Sequence, residues 1–258
     1  YEATRTFLSS LRWQKSFGRL FIESSISYRK NFDRFEMVKG SPSTVPYNYH
    51  NTDRLGLALR ADYSWLWGKT SLYADYRYDH LLSSVLGEPL ATPRRVKGES
   101  DALYTKGKKQ NSGDVRVRHV KQWRRFDIEG SAGCVFSPGE ATPVWSLSGG
   151  YRPVDGLHIG AAAVQSMRLP SFTDLYYTAT GYIGNPHLKP ERATTYRVRG
   201  TYGKGRWRTS AEVYFRDGRD IIDWVQKSAD SEWESLQLTR LRTLGVEWTG
   251  GYYGRGFL

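Results

Sequence analysis

From Leu55 to Trp65 every second residue is apolar. Leu55, Leu57, Leu59, Ala61, Tyr63 and Trp65 take one side; Gly56, Ala58, Arg60, Asp62 and Ser64 take the other. A strict period of two belongs to a strand with two chemically different faces, whereas a helix would repeat its apolar positions every three to four residues. The split recurs. Thr70, Leu72, Ala74, Tyr76 and Tyr78 oppose Ser71, Tyr73, Asp75, Arg77 and Asp79, and Trp207, Thr209, Ala211, Val213 and Phe215 oppose Arg208, Ser210, Glu212, Tyr214 and Arg216. If the apolar side meets acyl chains, a slip of one residue would drive Arg60 and Asp62 into hydrocarbon, where a mid-bilayer Arg costs about 2–4 kcal/mol. The pattern therefore specifies its own register.

The connections between these segments alternate in length. Short turns are expected at Phe17–Arg19, Trp65–Lys69, Trp123–Phe126, Pro153–Leu157, Gly203–Trp207 and Gly250–Gly254. Longer connections are expected at Val38–Asn51, Leu81–Gly113, Ser137–Pro143, Leu169–Pro190 and Asp217–Gln237. Tight turns at one end and extended loops at the other characterise outer-membrane barrels. Aromatic residues crowd the short-turn end: Phe17, Trp65, Trp67, Trp123, Phe126, Tyr151, Tyr202, Trp207, Tyr252 and Tyr253. Amphipathic rings settle at a membrane–water boundary, so this end reads as a periplasmic girdle. A mean hydropathy of −0.60, 39% apolar residues and a net charge of +12 would suit a soluble basic protein. That average is uninformative for a barrel, whose strands need apolar side chains only at alternate positions.

The expectation is thus an all-β, antiparallel transmembrane β-barrel, of which about eleven strands lie here. An open set of strands leaves two unpaired edges that hydrocarbon does not tolerate. The chain also opens inside an alternating segment without a leader pattern and stops at Phe257-Leu258 just past a turn. Residues 1–258 are therefore expected to be one part of a longer barrel domain.

The segment from Arg168 to Glu191 narrows the class. It reads Arg168-Leu169-Pro170-Ser171-Phe172-Thr173-Asp174-Leu175-Tyr176-Tyr177, and later Gly184-Asn185-Pro186-His187-Leu188-Lys189-Pro190-Glu191. These two halves, in this order, resemble the late-barrel signature of TonB-dependent outer-membrane receptors. Tyr214–Trp224 and Thr243–Trp248 extend the likeness, which is firm from about Tyr151 onward, diffuse before it, and closest to the cobalamin (corrinoid) receptors of the family. The resemblance implies a barrel of about 22 strands around an N-terminal plug that is absent here. It also implies import of a large scarce nutrient, cobalamin or a related corrinoid, across the outer membrane of a Gram-negative bacterium. The implied partners are TonB with its inner-membrane energising complex, acting through the plug, and the cobalamin-like ligand itself, with room for a surface lipoprotein. Ferric-siderophore and haem receptors are the rivals within the family, and a passive porin is the rival outside it.

Candidate functional residues follow. Tyr47 and Tyr49 in one loop, and Tyr176, Tyr177, Tyr182 and Asn185 in the signature loop, offer flat amphipathic surfaces for a ligand that is part apolar and part hydrogen-bonding; packing within the loops is the competing role. Lys30, Arg240 and Arg242 break the lipid-facing alternation at long-loop ends. They are candidate contacts to lipopolysaccharide phosphates, with snorkelling to water as the alternative. Arg94, Arg95, Lys97, Lys106, Lys108 and Lys109 are read as a solvated basic loop, and no nucleic-acid partner is expected, because no stacking platform accompanies them. No enzyme is expected, and no cofactor or metal: the five histidines lack ligand spacing, Gly68-Lys69-Thr70 lacks the first glycine of a P-loop, Cys134 stands alone, and Asp79-His80 suits a hydrated strand end better than a catalytic pair.

Overall fold

The computed structural model describes residues 1–43, 45–179 and 181–254; the terminal Phe257-Leu258 lies outside them. The chain is a succession of strands: β1 (Glu2–Phe17), β2 (Leu20–Phe35), β3 (Asn48–Trp65), β4 (Gly68–Ser83), β5 (Glu88–Arg95), β6 (Leu103–Gln122), β7 (Phe126–Ser137), β8 (Glu140–Tyr151) and β9 (Leu157–Arg168). A one-turn helix α1 (Phe172–Tyr176), the two-residue strands β10 (Thr178–Ala179) and β11 (Tyr182–Ile183), and then β12 (Glu191–Lys204), β13 (Trp207–Gln226) and β14 (Trp233–Tyr252) complete it.

They form one sheet in the order β1-β2-β3-β4-β6-β7-β8-β9-β12-β13-β14, with β5 beside β6 and β11-β10 on the far edge of β14. Eleven strands cross, every neighbouring pair among them antiparallel. The wall is unclosed among the described residues, since β1 pairs only with β2.

The alternation holds in three dimensions. Leu57, Leu59, Tyr63 and Trp65 are exposed on one face of β3, whereas Asp62 is 4% exposed on the other and held by Arg60 and Lys69. Among the described residues only nine apolar side chains are buried, and the outward band of Leu, Val, Phe, Trp and Tyr packs on no second sheet or long helix. A soluble monomer does not leave that much contiguous apolar surface in water. The small apolar cluster that does exist, Tyr49, Leu82, Val96 and Tyr104, sits where the long connections meet. All ten girdle aromatics are exposed; Phe126 stacks on Tyr151 at 4.6 Å and Trp207 lies 4.9 Å from Tyr252.

Five of the six turns expected at the girdle end match their positions, whereas Gly250–Tyr252 of the sixth continue β14 in its pairing with β13. Gly18 and Gly205, at φ +59° in both cases, open two-residue hairpins that need a left-handed residue. The opposite end differs from expectation in extent. The connection expected at Asp217–Gln237 shrinks to residues 227–232, because β13 and β14 continue pairing up to Gln226↔Trp233. Ser137–Pro143 reduces to a two-residue turn at Pro138-Gly139, and Val38–Asn51 is replaced by residues 36–47. Lys106, Lys108 and Lys109 are in β6, and Arg94 and Arg95 in β5, so the basic loop is mostly ladder. On β3, β6, β7, β8, β13 and β14 backbone pairing outlasts the apolar pattern, whereas β2 ends at Phe35, earlier than expected.

Candidate functional site

The signature segment builds a braced loop at the long-loop end. Leu169 and Pro170 end β9, since Pro has no N–H to give to the ladder. Ser171 then caps α1: its Oγ accepts from the Asp174 N–H at 3.1 Å while the Asp174 carboxylate accepts the Ser171 N–H at 2.9 Å. Beyond the helix the chain folds back, with the N–H of Asn185 bonded to the Asp174 carbonyl at 2.9 Å and that of Gly184 to the Tyr177 carbonyl at 2.6 Å. A Cβ on Gly184 would lie 2.8–2.9 Å from backbone atoms of Leu175, Tyr176 and Tyr177, so only glycine permits this approach. Asn185 Oδ1 accepts from the His187 N–H at 3.0 Å, an Asx turn that engages its carbonyl oxygen locally.

Two members at the ends of the signature close it. The Arg168 guanidinium donates Nε and Nη2 to Glu191 at 2.9 and 2.7 Å and Nη1 to Asp174 at 3.1 Å. Glu191 also accepts the buried Ile222 N–H of β13 at 2.8 Å. Gln237 of β14 adds a bridge, accepting from the Lys189 N–H at 3.0 Å and donating to the Lys189 carbonyl at 2.9 Å and the Asp220 carbonyl at 3.1 Å. The loop is thereby fastened to β9, β12, β13 and β14 together.

That brace presents an aromatic group. Tyr177 and Tyr182 lie 6.1 Å apart, both edge-on to Trp224 at 6.4 and 5.8 Å, and Tyr182 stacks with Trp233 at 6.4 Å. The parallel pairing Tyr182↔Trp233 fixes this contact through the backbone. Tyr176 turns the other way, toward β6, where the Lys108 ammonium sits 5.2 Å from its ring. Of the sequence candidates, Tyr176, Tyr177, Tyr182 and Asn185 thus share one loop; Tyr182, 39% exposed, offers the most surface. Trp224 and Trp233 were not among the candidates. Their only sequence signal is that both fall in a stretch read as loop, where a large aromatic is rarely left unsupported.

Tyr47 and Tyr49 are elsewhere. Their rings are 6.4 Å apart, but Tyr49 is 7% exposed, packed with Leu82, Val96 and Tyr104, and presents little surface to any ligand. Tyr47 lies against the Arg34 guanidinium at 5.5 Å. In the same loop the Gly40 N–H donates to Glu36, and with the nearby Arg34 this holds its carboxyl below the usual range; burial raises the Tyr47 phenol.

The three outward basic residues separate into two settings. Lys30 forms a single pair with Asp53 at 3.1 Å. Arg240 clamps Asp217 through Nε at 2.5 Å and Nη2 at 2.7 Å, with Arg242 at 3.6 Å and Arg219 at 3.8 Å from the same carboxylate. Asp79 is buried between Arg54 and Arg77, and His80 lies on the opposite side of its strand, so the two do not form a pair.

A family model described as TonB dependent receptor-like, beta-barrel, matches residues 1–257, well beyond the stretch where the resemblance was firm. The Vitamin B12 transporter BtuB of Photobacterium profundum is 28% identical over 173 residues, covering 65% of this chain and 28% of that protein. BtuB of Vibrio vulnificus is 22% identical over 279 residues, covering 95% of this chain and 44% of that protein. The chain therefore spans less than half the length of these curated relatives. Among solved structures, the FrpB iron transporter of Neisseria meningitidis superposes with a TM-score of 0.72 at 11% identity, over 99% of this chain and 43% of that one. A variant of the ferric enterobactin receptor PfeA of Pseudomonas aeruginosa gives 0.76 at 10% identity, over 96% and 41%. At such identities these structures speak to the fold.

Proposed function

Since the chain belongs to the TonB-dependent receptor-like β-barrel family, we propose that it is part of an outer-membrane receptor that actively imports cobalamin or a related corrinoid. The reading places the girdle end at the periplasm, the long loops outside, and the charged strand face toward a plugged lumen. The observation that carries it is the braced aromatic group of Tyr177, Tyr182, Trp224 and Trp233 at the long-loop end. A corrinoid is large, with a broad apolar face and a rim of amides, and rigid rings with polar edges suit both. The two BtuB relatives support the same ligand over siderophores or haem.

On this reading capture at the outer face precedes movement of a plug, drawn by TonB at the expense of the inner-membrane proton gradient. This segment would supply the wall and one capture loop, binding and conveying the ligand without changing it. The test is titration of the full-length receptor with cyanocobalamin, a ferric siderophore and haem, together with uptake by cells with and without TonB. Saturable cobalamin binding and TonB-dependent uptake are expected. Binding of ferric chelates or haem with indifference to cobalamin would overturn the ligand, and ligand-free ion conductance without TonB would overturn active import in favour of a porin.

A further inference from the structure

The outward residues of β13 and β14 form a graded column. In register they run Trp207↔Tyr252, Ala211↔Trp248, Val213↔Val246 and Phe215↔Leu244, then Asp217↔Arg242 and Arg219↔Arg240. Girdle, hydrocarbon band and a charged cap thus follow one another along a single face. In the cap three arginines share one carboxylate, leaving a surplus of 3 − 1 = 2 positive charges around Asp217. Asp217 is 14% exposed and already clamped by Arg240, while Arg219, Arg240 and Arg242 remain 66%, 44% and 59% exposed.

A groove of about 620 Å³ runs across the same face from β7 to β14. Gly149 on β8 and Ala161 and Ala163 on β9 form its floor, Leu147 stands on one side, and Tyr196 and Val198 of β12 separate that floor from Val213, Phe215 and Leu244. Its end at Phe215 and Leu244 is one outward pair, about 7 Å along the strand, from Asp217↔Arg242 and about 14 Å from Arg219↔Arg240. Small residues between large ones make a slot open to the outside, and the cations stand above its β13–β14 end.

We propose that this face binds an anionic lipid of the outer leaflet, with a phosphate on Arg219, Arg240 and Arg242 and an acyl chain in the groove. The proposal rests on the membrane orientation given above and is independent of the imported ligand. Charge complementarity selects the occupant. Guanidinium groups match phosphate oxygens in pairs, and clustered like charges need an anion between them. A second copy of the chain, docked by a two-fold through this patch, would set arginine against arginine. Snorkelling to water does not describe Arg240, whose two bonds to Asp217 hold it along the sheet. Lys30, on β2 and matched singly by Asp53, lies outside the site.

The experiment is native mass spectrometry of the delipidated full-length receptor in detergent. The probes are bisphosphorylated lipid A, diacylglycerol as a chain without phosphate, and inorganic phosphate as a headgroup without a chain. Retention of lipid A over both others is expected. Arg240→Gln with Arg242→Gln should lower it about tenfold or more, the loss of at least one charged hydrogen bond. Ala163→Phe, which fills the groove, should lower it comparably, whereas Arg199→Gln on the lumen face should not. Equal retention of diacylglycerol, binding that phosphate alone reproduces, or lipid A retention unchanged in both site variants would overturn the proposal. Heat-modified gel migration checks folding, with Arg219→Gln as the milder substitute if the double variant fails it. Cobalamin binding by the same samples is read separately, so loss of the lipid site and failure of the import reading are distinguishable.

Discussion

Removing Glu191 should open the signature loop without unfolding the barrel. In Glu191→Ala two charge-assisted bonds from Arg168 and one from the Ile222 N–H disappear. A charged hydrogen bond is worth about 1.5–3 kcal/mol when shielded. Arg168 is 48% exposed against 11% for Glu191, so screening places the pair at the low end, near 2 kcal/mol in all. The orphaned Ile222 N–H adds about 1 kcal/mol. A total of about 3 kcal/mol raises the open-loop population roughly 100-fold. Glu191→Gln keeps an acceptor for Ile222 and one bond from Arg168, so about 1 kcal/mol and a fivefold to tenfold change are expected. The β9–β12 ladder, from Glu191↔Arg168 to Tyr202↔Leu157, is backbone pairing and should persist. Hydrogen exchange of the full-length receptor, followed by mass spectrometry over residues 169–190, reads this directly. Unchanged protection there in Glu191→Ala, or equal loss in the girdle half of β12, would refute the view that this ion pair holds the loop.

Further outcomes follow from the same geometry. Gly184→Ala should expose the same peptides, because its Cβ would sit 2.8–2.9 Å from three backbone atoms; Gly200→Ala, with nothing within 4 Å, should leave exchange and heat-modified migration alone. Leu59→Arg should cost about 2–4 kcal/mol in urea titrations of vesicle-inserted receptor, whereas Ala58→Arg, on the lumen side, should cost far less; similar losses would deny the assigned faces. Tyr182→Ala and Trp224→Ala should each weaken cobalamin binding about tenfold if the aromatic group is the capture surface, in line with 1–1.5 kcal/mol for a lost ring contact. Glu36 has a lowered pKa, so its contribution to the order of residues 36–47 is present above the ordinary glutamate range and lost as pH falls through the depressed value. Proteolysis of that loop should therefore rise only in distinctly acid solution, and Glu36→Gln should abolish the dependence.

What the sequence disclosed, and what it hid, both trace to the solvent. Period-two apolarity reports contact with acyl chains, so Leu55–Trp65 and Trp207–Phe215 announced their strands and faces. Above the lipid the constraint lapses. From Asp217 to Gln226 no face needs to be greasy, yet the hydrogen-bond ladder continues to Gln226↔Trp233, and a reading tuned to hydrophobicity ended the strand too early. Pro138-Gly139 failed in the same way: polar residues near the turn read as a loop, although pairing from Ser137↔Glu140 leaves only two residues between β7 and β8. Trp224 and Trp233 lie in the paired but non-alternating stretch of β13 and β14, where no apolar periodicity marks them.

The signature was recognisable as a string, but its physical purpose required coordinates. Arg168 and Glu191 stand 23 residues apart and become register partners because β9 and β12 are sheet neighbours. The ion pair thus closes the loop at its base, and Asp174 links the same guanidinium to the cap of α1. Pro170 and Pro186 fix the corners, Gly184 admits the backbone, and Asn185 and Ser171 satisfy N–H groups that a loop without ladder partners would leave bare. Within the loop, Tyr177 and Tyr182 are the rings that join Trp224. If the loop captures the ligand as proposed, the clamp sets where the loop is held, and recognition falls to the rings it carries and to partners such as Trp224 and Trp233 outside the string. Exchanging those rings while keeping Arg168, Asp174 and Glu191 should therefore change ligand preference with no loss of loop protection. Exchanging the clamp should cost affinity for every ligand alike.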